Sequence, residues 1–145
     1  ETNEKYIPYV IEPSVGVDRM FLTILCDAYD EEQLENNEVR EVLHLHPYLA
    51  PYKVSVLPLA KKYHSEKALE VWKMLSSNFS CSYDEAGSIG KRYRRADASG
   101  TPWCLTVDND TLEKGTVTLR DRDTMEQVTL KLDEVVDYIN ERIKF

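Results

Sequence analysis

An almost continuously apolar strand pattern, followed at once by a helical pattern, constrains this fold more than any other feature of the sequence. The strand pattern spans residues 52–59, and the helical pattern after it places Leu69, Trp72, Leu75 and Phe79 on one face. A strand that is apolar on both sides is typical of a parallel sheet covered by helices on both faces. We therefore expect residues 52–59 to be an inner strand of such a sheet.

The downstream sequence continues this alternation. It predicts strands over residues 80–83, 103–107, 116–120 and 127–132, a helix over residues 88–96 and a closing helix. Turns are predicted over residues 108–115 and 121–125. Right-handed crossovers make the first three strands parallel, and the two turns then reverse the fourth strand and return the fifth. The predicted fold is α/β, a three-layer α/β/α unit around a mixed five-stranded sheet with its fourth strand antiparallel.

The first 48 residues have different patterns. Residues 6–11 favour a short strand, and residues 17–28 have helical spacing. Residues 27–41 are rich in acids and Asn, which predicts a solvated loop, and Pro47 and Pro51 indicate a linker. We therefore expect a strand–helix unit over residues 1–28, an acidic linker over residues 29–48 and the α/β domain over residues 49–145.

The formal net charge of -8 belongs entirely to the front of the chain. Residues 1–48 hold three basic and eleven acidic residues, whereas the remaining 97 residues hold 15 of each. Because local charge governs binding, the acidic total does not exclude a nucleic-acid partner for residues 49–145.

The cysteines and the start of the chain predict the compartment. The three cysteines are widely spaced and form no CxxC, which favours a reducing, cytoplasmic setting over a disulfide framework or a zinc ribbon. The polar first residues predict no signal peptide, and no apolar run approaches a membrane span. We expect no membrane partner.

Two short motifs are weak signals. Residues 87–92 (GSIGKR) have two residues between the glycines where a P-loop needs four. His44 and His46 could chelate a metal, but no cysteine or third histidine lies near them in sequence. We predict a loop histidine pair without metal.

Two other stretches have residue types suited to binding. Glu12, Ser14, Gly16 and Arg19 lie where the predicted front strand gives way to a helix. A carboxylate can hold an ammonium group, a glycine allows close approach, and an arginine can reach a phosphate. An ordinary strand–helix turn is the alternative.

The second stretch is basic and aromatic. It comprises Lys91, Arg92, Tyr93, Arg94 and Arg95, followed in the sequence by Asp97, Arg120, Asp121 and Arg122. Cations that alternate with an aromatic ring suit single-stranded nucleic acid, and Arg and Asp together can read base edges. A solvated helix face with salt bridges is the alternative.

Four segments, in this order, resemble class II glycyl-tRNA synthetases. Residues 10–19 (VIEPSVGVDR) resemble motif 3 of that family, and residues 49–59 (LAPYKVSVLPL) resemble the start of its anticodon-binding domain. Residues 87–93 (GSIGKRY) and 118–123 (TLRDRD) resemble two further family segments. The resemblance identifies the chain as the C-terminal part of such an enzyme, and the family's anticodon-binding domain has the mixed sheet predicted above.

The resemblance also implies roles for particular residues. Glu12 and Ser14 would bind the substrate glycine, while Arg19 and Gly16 would lie at ATP, which magnesium accompanies. The anticodon of tRNA(Gly) would meet Lys91, Arg92, Tyr93, Arg94, Arg95, Arg120, Asp121 and Arg122. Glycine anticodons end in two cytosines, for which Arg and Asp are apt readers.

The implied parent enzyme is a glycine–tRNA ligase, expected to be a cytoplasmic homodimer. The family's motifs 1 and 2 lie upstream of this sequence. We therefore expect the chain alone to hold no complete catalytic set, no metal and no cofactor, to be inactive, and to bind the anticodon stem–loop. Two alternatives stay open: a non-catalytic nucleic-acid-binding or accessory subunit with a synthetase-like tail, and a small-molecule-binding α/β domain.

Overall fold

The structure is a computed structural model that describes residues 3–34 and 37–144. Its helices are α1 (Val17–Ala28), α2 (Lys61–Ser76), α3 (Ile89–Ala98), α4 (Asn109–Lys114) and α5 (Val135–Ile143). Its strands are β1 (Tyr29–Gln33), β2 (Val39–Leu43), β3 (Val54–Pro58), β4 (Cys81–Tyr83), β5 (Trp103–Val107), β6 (Thr116–Asp121) and β7 (Gln127–Lys131). No helix in the described ranges is long and apolar enough to cross a membrane.

Strands β3 to β7 form the predicted mixed sheet. Their order is β4-β3-β5-β6-β7, with β3 parallel to β4 and β5, and β6 antiparallel to β5 and β7. The prediction of a five-stranded sheet whose fourth strand runs antiparallel is confirmed. The inner strands β3 and β5 are buried at every residue, as their continuous apolar pattern indicated.

Alternate residues of the inner strands pack against different helices. Val56 and Leu105 belong to the main core with α2 and α5, whereas Leu57 and Cys104 pack with Ala96 of α3. Because successive strand residues point to opposite faces, one sheet serves two helical layers. The predicted three-layer arrangement follows.

The loop predicted over residues 27–41 is wrong, because β1 and β2 form an antiparallel hairpin in this part of the acidic linker. The alternation is visible in β2, where Arg40 and Val42 are fully buried and Glu41 is exposed. The acid-rich composition obscured a strand with one inward and one outward face.

The hairpin packs on α3, and Gly100 permits the contact. Gly100 has φ +74°, and a Cβ there would lie 2.8 Å from Leu45 Cδ1 and 3.2 Å from Leu43 Cβ. A glycine therefore allows both the left-handed turn after α3 and the close approach of the chain that follows β2.

The strand predicted over residues 6–11 is also wrong. Residues 3–16 form no helix or strand, and each of them is exposed. A β-branched and aromatic pattern forms a strand only when a partner strand supplies hydrogen bonds, and no described strand pairs with this segment. The following helix, α1, has the predicted bounds of Val17–Ala28.

The turn predicted over residues 108–115 contains a short helix. Asp108 accepts from the Thr111 backbone N–H at 3.1 Å, and the Thr111 hydroxyl group accepts from the Asp108 backbone N–H at 3.1 Å. This reciprocal capping box starts α4, and Gly115 in the left-handed conformation ends it. Asp and Thr are common both in turns and at the first residues of helices, because their side chains bond to nearby backbone N–H groups. The sequence over residues 108–115 therefore resembled a turn although it starts a helix.

Candidate nucleic-acid interface

Helix α3 divides the predicted basic segment between a buried and an exposed face. Arg92, Ala96 and Asp97 are buried, whereas Lys91 and Arg95 are exposed. Residues three to four apart share one face of a helix, so the run KRYRR cannot present all of its cations on one side. The structure therefore brings only part of the predicted set to the surface.

The outward-facing cations of α3 differ in their surroundings. Arg95 donates to Asp84 Oδ2 from Nε at 2.8 Å and from an amino nitrogen at 2.6 Å. Arg94, with 38% of its side chain exposed, lies 3.5 Å from Glu38 Oε2. The Lys91 side chain makes no hydrogen bond or ion pair with the residues that the structure describes. These cations lie close to one another on α3, and each reaches solvent.

Arg92 is occupied by protein acceptors. Only 4% of it is exposed, and its guanidinium group donates to the Pro58 carbonyl oxygen and, at 2.6 Å, to the Gly87 carbonyl oxygen. These bonds join the end of β3 to the loop before α3. Arg92 Nε is buried and has no hydrogen-bond partner. It is the one buried side-chain nitrogen or oxygen atom of which this is true within residues 3–34 and 37–144.

Tyr93 lies between the exposed and buried groups. Its hydroxyl group lies 2.7 Å from Thr106 Oγ1, and the Arg120 guanidinium carbon lies 4.9 Å from its ring centroid. Burial raises the pKa of the Tyr93 phenol, although the hydrogen bond with Thr106 opposes the shift. The ring is fixed in orientation and stays protonated near neutral pH.

The Tyr93 ring lines a cavity of about 280 Å³ near the carboxyl ends of β3 and β5. Its other lining residues are Leu59, Ile89, Thr106, Asp108, Thr118 and Gln127. The wall is therefore mostly apolar or hydroxylic, with one carboxylate and one amide. Such a surface can accept a planar ring and bind its edge.

Arg120 and Asp97 form a buried ion pair. Asp97 is fully buried and accepts from two Arg120 amino nitrogens, at 2.9 Å and 3.2 Å. Arg40 of the hairpin donates to the same carboxylate at 2.8 Å and also pairs with Glu32 at 2.5 Å. Burial acts to lower the pKa of Arg40, but the hydrogen bonds to Asp97 and Glu32 outweigh burial and raise it.

Arg122 and Asp121 also have protein partners. Arg122 is 2% exposed and donates to the Gly100 and Leu45 carbonyl oxygens, each at 2.9 Å. Asp121 Oδ1 accepts the backbone N–H groups of Asp123 and Thr124 at 2.8 Å and 3.0 Å. Arg122 therefore joins the chain that follows β2 to the end of the sheet by hydrogen bonds. Asp121 stabilises the turn after β6. RNA contact by Arg92, Arg120, Asp121 and Arg122 stays a prediction.

The four residues predicted at the front of the chain lie in or next to the irregular segment. Glu12, Ser14, Gly16 and Arg19 are all exposed. Gly16 begins α1, where its carbonyl oxygen accepts the Met20 N–H at 3.0 Å, and the Arg19 carbonyl oxygen accepts the Thr23 hydroxyl group at 2.8 Å. Their roles in binding glycine and ATP stay predictions.

The sequence analysis missed Arg40, which pairs with the buried Asp97 of α3, because Arg40 lies within an acid-rich stretch. Alternation in residues 39–42 (VREV) was the available signal, since it puts Arg40 and Val42 on one face of a strand. For Asp97 the sequence predicts only a possible base reader. Its burial between two arginines shows a structural role instead.

Relatives with known names match almost the whole chain. The sequence matches the family described as "Anticodon binding domain" over residues 53–142. It is 61% identical over 144 residues to the glycine–tRNA ligase of Clostridium kluyveri and 62% identical over 143 residues to that of Clostridium acetobutylicum. Each alignment covers 99% of this chain and 31% of the relative, so the chain spans about a third of these relatives' length.

A solved structure supports the same relationship. The RNA-binding domain of threonyl-tRNA synthetase from Cryptosporidium parvum superposes with a TM-score of 0.63 at 28% identity, covering 68% of this chain and 25% of that one. The family match over residues 53–142 contains the mixed sheet, α3 and the residues that line the Tyr93 cavity. The chain therefore belongs to the anticodon-binding-domain family.

Proposed function

We propose that this chain is the C-terminal part of a glycine–tRNA ligase and that its own role is to bind the anticodon stem–loop of tRNA(Gly). Support comes from the family match over residues 53–142 and from glycine–tRNA ligases that are 57% to 62% identical to nearly the whole chain. The structural observation that carries the proposal is that Lys91, Arg94 and Arg95 reach solvent from α3, the helix whose Tyr93 lines the cavity described above.

Phosphates would meet Lys91, Arg94 and Arg95. Lys91 and Arg95 are exposed, and the exposed ion pairs of Arg94 and Arg95 can be exchanged for phosphate because surface pairs are weak. In this proposal Arg92 and Arg122 act indirectly, because acceptors within the protein hold their donors. Their role is to hold α3 and the hairpin against the sheet.

An unstacked anticodon base would enter the cavity beside Tyr93. The ring is held by Thr106 and by the nearby Arg120, so a base could stack without first ordering the side chain. Asp108 and Gln127 in the cavity wall offer acceptors for the amino group of a cytosine, the base that ends glycine anticodons. This assignment moves the acidic base reader from Asp97 and Asp121 to Asp108.

In the longer enzyme, Glu12 and Ser14 would help bind glycine, and Gly16 and Arg19 would lie at ATP with its magnesium. Their exposed side chains fit that role in type, since a carboxylate suits an α-ammonium group and a guanidinium group suits a phosphate. They form one side of a site at most, and activation of an amino acid depends on several groups positioned together. We therefore propose that the chain alone neither activates glycine nor charges tRNA, and that the whole enzyme is a homodimer.

The test is fluorescence anisotropy with a labelled RNA stem–loop that carries a glycine anticodon. We expect Lys91→Ala combined with Arg94→Ala to weaken binding at least tenfold. A matched pair of exposed lysines on other elements, Lys73→Ala with Lys131→Ala, should change binding less than twofold. Equal losses in both double variants would contradict an interface on α3.

A second stem–loop, with both anticodon cytosines replaced, tests specificity. Tighter binding to the glycine anticodon, reduced by Asp108→Asn, would support a base reader in the Tyr93 cavity. Equal affinity for both RNAs would instead favour a non-catalytic nucleic-acid-binding subunit. Absence of RNA binding in 50 mM salt, where electrostatic binding is strong, would overturn the proposal.

A further inference from the structure

His64 is a buried histidine whose two ring nitrogens bind different parts of the chain. Only 3% of it is exposed, and it lies in the first part of α2. Its Nδ1 accepts the backbone N–H of Ala60 at 3.0 Å, and its Nε2 lies 2.9 Å from Asn109 Oδ1. One imidazole ring therefore joins the beginning of α2 to the beginning of α4, 45 residues further along the chain.

The backbone fixes the position of the proton on this ring. A peptide N–H can only donate, so the Nδ1 that accepts from Ala60 carries no proton. The ring proton is then on Nε2, where it faces the side-chain oxygen of Asn109, which is an acceptor. The neutral Nε2–H tautomer satisfies both nitrogens, and no other form of the ring does.

Both of these bonds are one residue away from the wall of the Tyr93 cavity. Leu59 follows β3, precedes Ala60 and lines the cavity. Asp108 follows β5, precedes Asn109 and lines the cavity too. The imidazole therefore links two segments of the cavity wall that leave the sheet from different strands.

The two segments diverge where the sheet ends. The register of β3 and β5 ends at the pair of Pro58 and Val107, and the Leu59 N–H donates to the Val107 carbonyl oxygen at 2.8 Å. Beyond this point the chain continues into α2 on one side and into α4 on the other. Leu59 is 46% exposed, so a hydrogen bond beside it supplies order that burial does not supply there.

Asp108 has one carboxylate oxygen in the capping box and one left over. Its Oδ1 accepts the Thr111 N–H at 3.1 Å. Its Oδ2 makes no hydrogen bond with the part of the chain that the structure describes, and it is available to the amino group of a base. The direction of that oxygen depends on the start of α4, which Asn109 joins to the buried imidazole.

We propose that His64 is a positioning residue for the Tyr93 cavity. Its imidazole holds the Leu59 and Asp108 segments in the arrangement that lets a cytosine stack in the cavity and donate its amino N–H to the carboxylate. The inference rests on the proposed RNA-binding function and adds a source of base specificity that lies outside the contact surface. His64 is itself too deeply buried to touch RNA.

The variant that tests this link is Asn109→Ala, because Asn109 is exposed and its truncation leaves the Ala60 bond in place. The readout is base preference, the ratio of the dissociation constants for the stem–loop with replaced cytosines and for the glycine-anticodon stem–loop. We expect this ratio to fall about threefold to tenfold, as the loss of one hydrogen bond predicts. The dependence of binding on salt should stay the same, because the cations of α3 are untouched.

Two further variants separate the link from a general loss of structure. Asn109→Asp keeps the oxygen acceptor and should retain the base preference. Asn78→Ala changes an exposed asparagine just after α2 and is the matched control, with no expected effect. In a double-mutant cycle, His64→Leu combined with Asn109→Ala should lower the preference no further than His64→Leu alone, and losses that multiply would contradict a shared link.

A measurement on the free protein does not depend on RNA. Nitrogen NMR at neutral pH should show His64 as the neutral Nε2–H tautomer, and the Thr111 amide should exchange faster with solvent in Asn109→Ala than in the unmodified chain. An Nδ1–H or imidazolium form, or an unchanged exchange rate, would overturn the proposal.

The RNA measurements distinguish this inference from the proposed function. A base preference that Asn109→Ala leaves unchanged would overturn the role of His64 while the proposed function stands. Absence of any preference in the unmodified chain would overturn the base reader in the Tyr93 cavity and this inference with it.

Discussion

Arg40 Nε donates to Asp97 Oδ2 at 2.8 Å, and both side chains are fully buried although 57 residues separate them in the chain. The bond joins β2 of the hairpin to the last turn of α3. Arg120 binds the same carboxylate from β6, so one aspartate connects three elements. The hairpin is consequently packed on the domain that the family match covers and is held there by buried ion pairs, although the sequence predicted a linker over these residues.

Removal of the Asp97 carboxylate should be severely destabilising. Asp97→Ala leaves Arg40 and Arg120 buried without their counter-charge, and breaking a buried pair in this way costs about 3–5 kcal/mol. Urea unfolding followed by circular dichroism measures the loss. The control is Asp110→Ala in the exposed Lys114 pair, which should leave the urea midpoint nearly unchanged. Similar shifts in both variants would contradict the role assigned to Asp97.

Two glycines should respond oppositely to alanine. Gly100 has φ +74°, which strains any residue with a Cβ, and the new methyl group in Gly100→Ala would lie 2.8 Å from Leu45 Cδ1. The substitution should therefore lower the free energy of unfolding by more than about 1 kcal/mol. Gly90→Ala lies within α3 with no atom inside 4 Å of the new Cβ, and it should raise stability by about 0.5–1 kcal/mol. Thermal unfolding of both variants checks the pair. A stabilising Gly100→Ala would disprove the close docking of the hairpin.

RNA binding should depend on salt in proportion to the phosphates contacted. The three proposed contacts, through Lys91, Arg94 and Arg95, predict a slope of about -2 for log K against log salt on single-stranded RNA. Lys91→Ala with Arg94→Ala should bring the slope closer to zero by about 1.4, the share of two phosphates. Anisotropy titrations from 50 to 300 mM KCl supply both slopes. A slope that the double variant leaves unchanged would remove these cations from the interface.

The three thiols should react in the order of their exposure. Cys26 is exposed, whereas burial raises the pKa of Cys81 to about 11 and that of Cys104, 1% exposed, to about 12. Since the thiolate is the reactive species, Ellman's reagent at pH 8 should modify Cys26 rapidly, Cys81 slowly and Cys104 only after unfolding. Cys26→Ser removes the fast phase and is the matched control. Fast reaction of Cys104 in the native chain would contradict its place under α3.

Acid should weaken the contact between α2 and the loop after β4. Hydrogen bonds from Lys61, Tyr83 and Ser65 lower the pKa of Glu85 to about 2. A lowered folded-state pKa stabilises the protein above the unfolded-state value of about 4.3, and this stabilisation is lost as the pH falls towards 2. Glu85→Gln should therefore unfold more easily than the unmodified chain at pH 7, with the difference shrinking between pH 5 and 2. Urea midpoints measured across this range decide the matter, and a difference that grows towards acid would contradict the sign.

The five strands of the mixed sheet were predictable because their signals are local. The strand over residues 103–107 and the helix over residues 17–28 appear with their predicted bounds, since alternation, helical spacing and turn residues act over a few positions. Right-handed crossovers then make the first three strands parallel, as the structure confirms. The hairpin escaped prediction because acid-rich composition masked the alternation of Arg40 and Val42.

The sequence by itself determined the five strands of the mixed sheet with their directions, and the resemblance that placed a basic helix in an anticodon-binding domain. Only the tertiary structure decided which basic residues face solvent. Arg120 meets Asp97 across 23 residues, and Arg122 meets the Leu45 carbonyl oxygen across 77. The exposure of an arginine depends on acceptors that folding brings from distant parts of the chain, and no local pattern carries that information. The physical reason is that a buried guanidinium group requires partners for its donors, and only the folded chain supplies them.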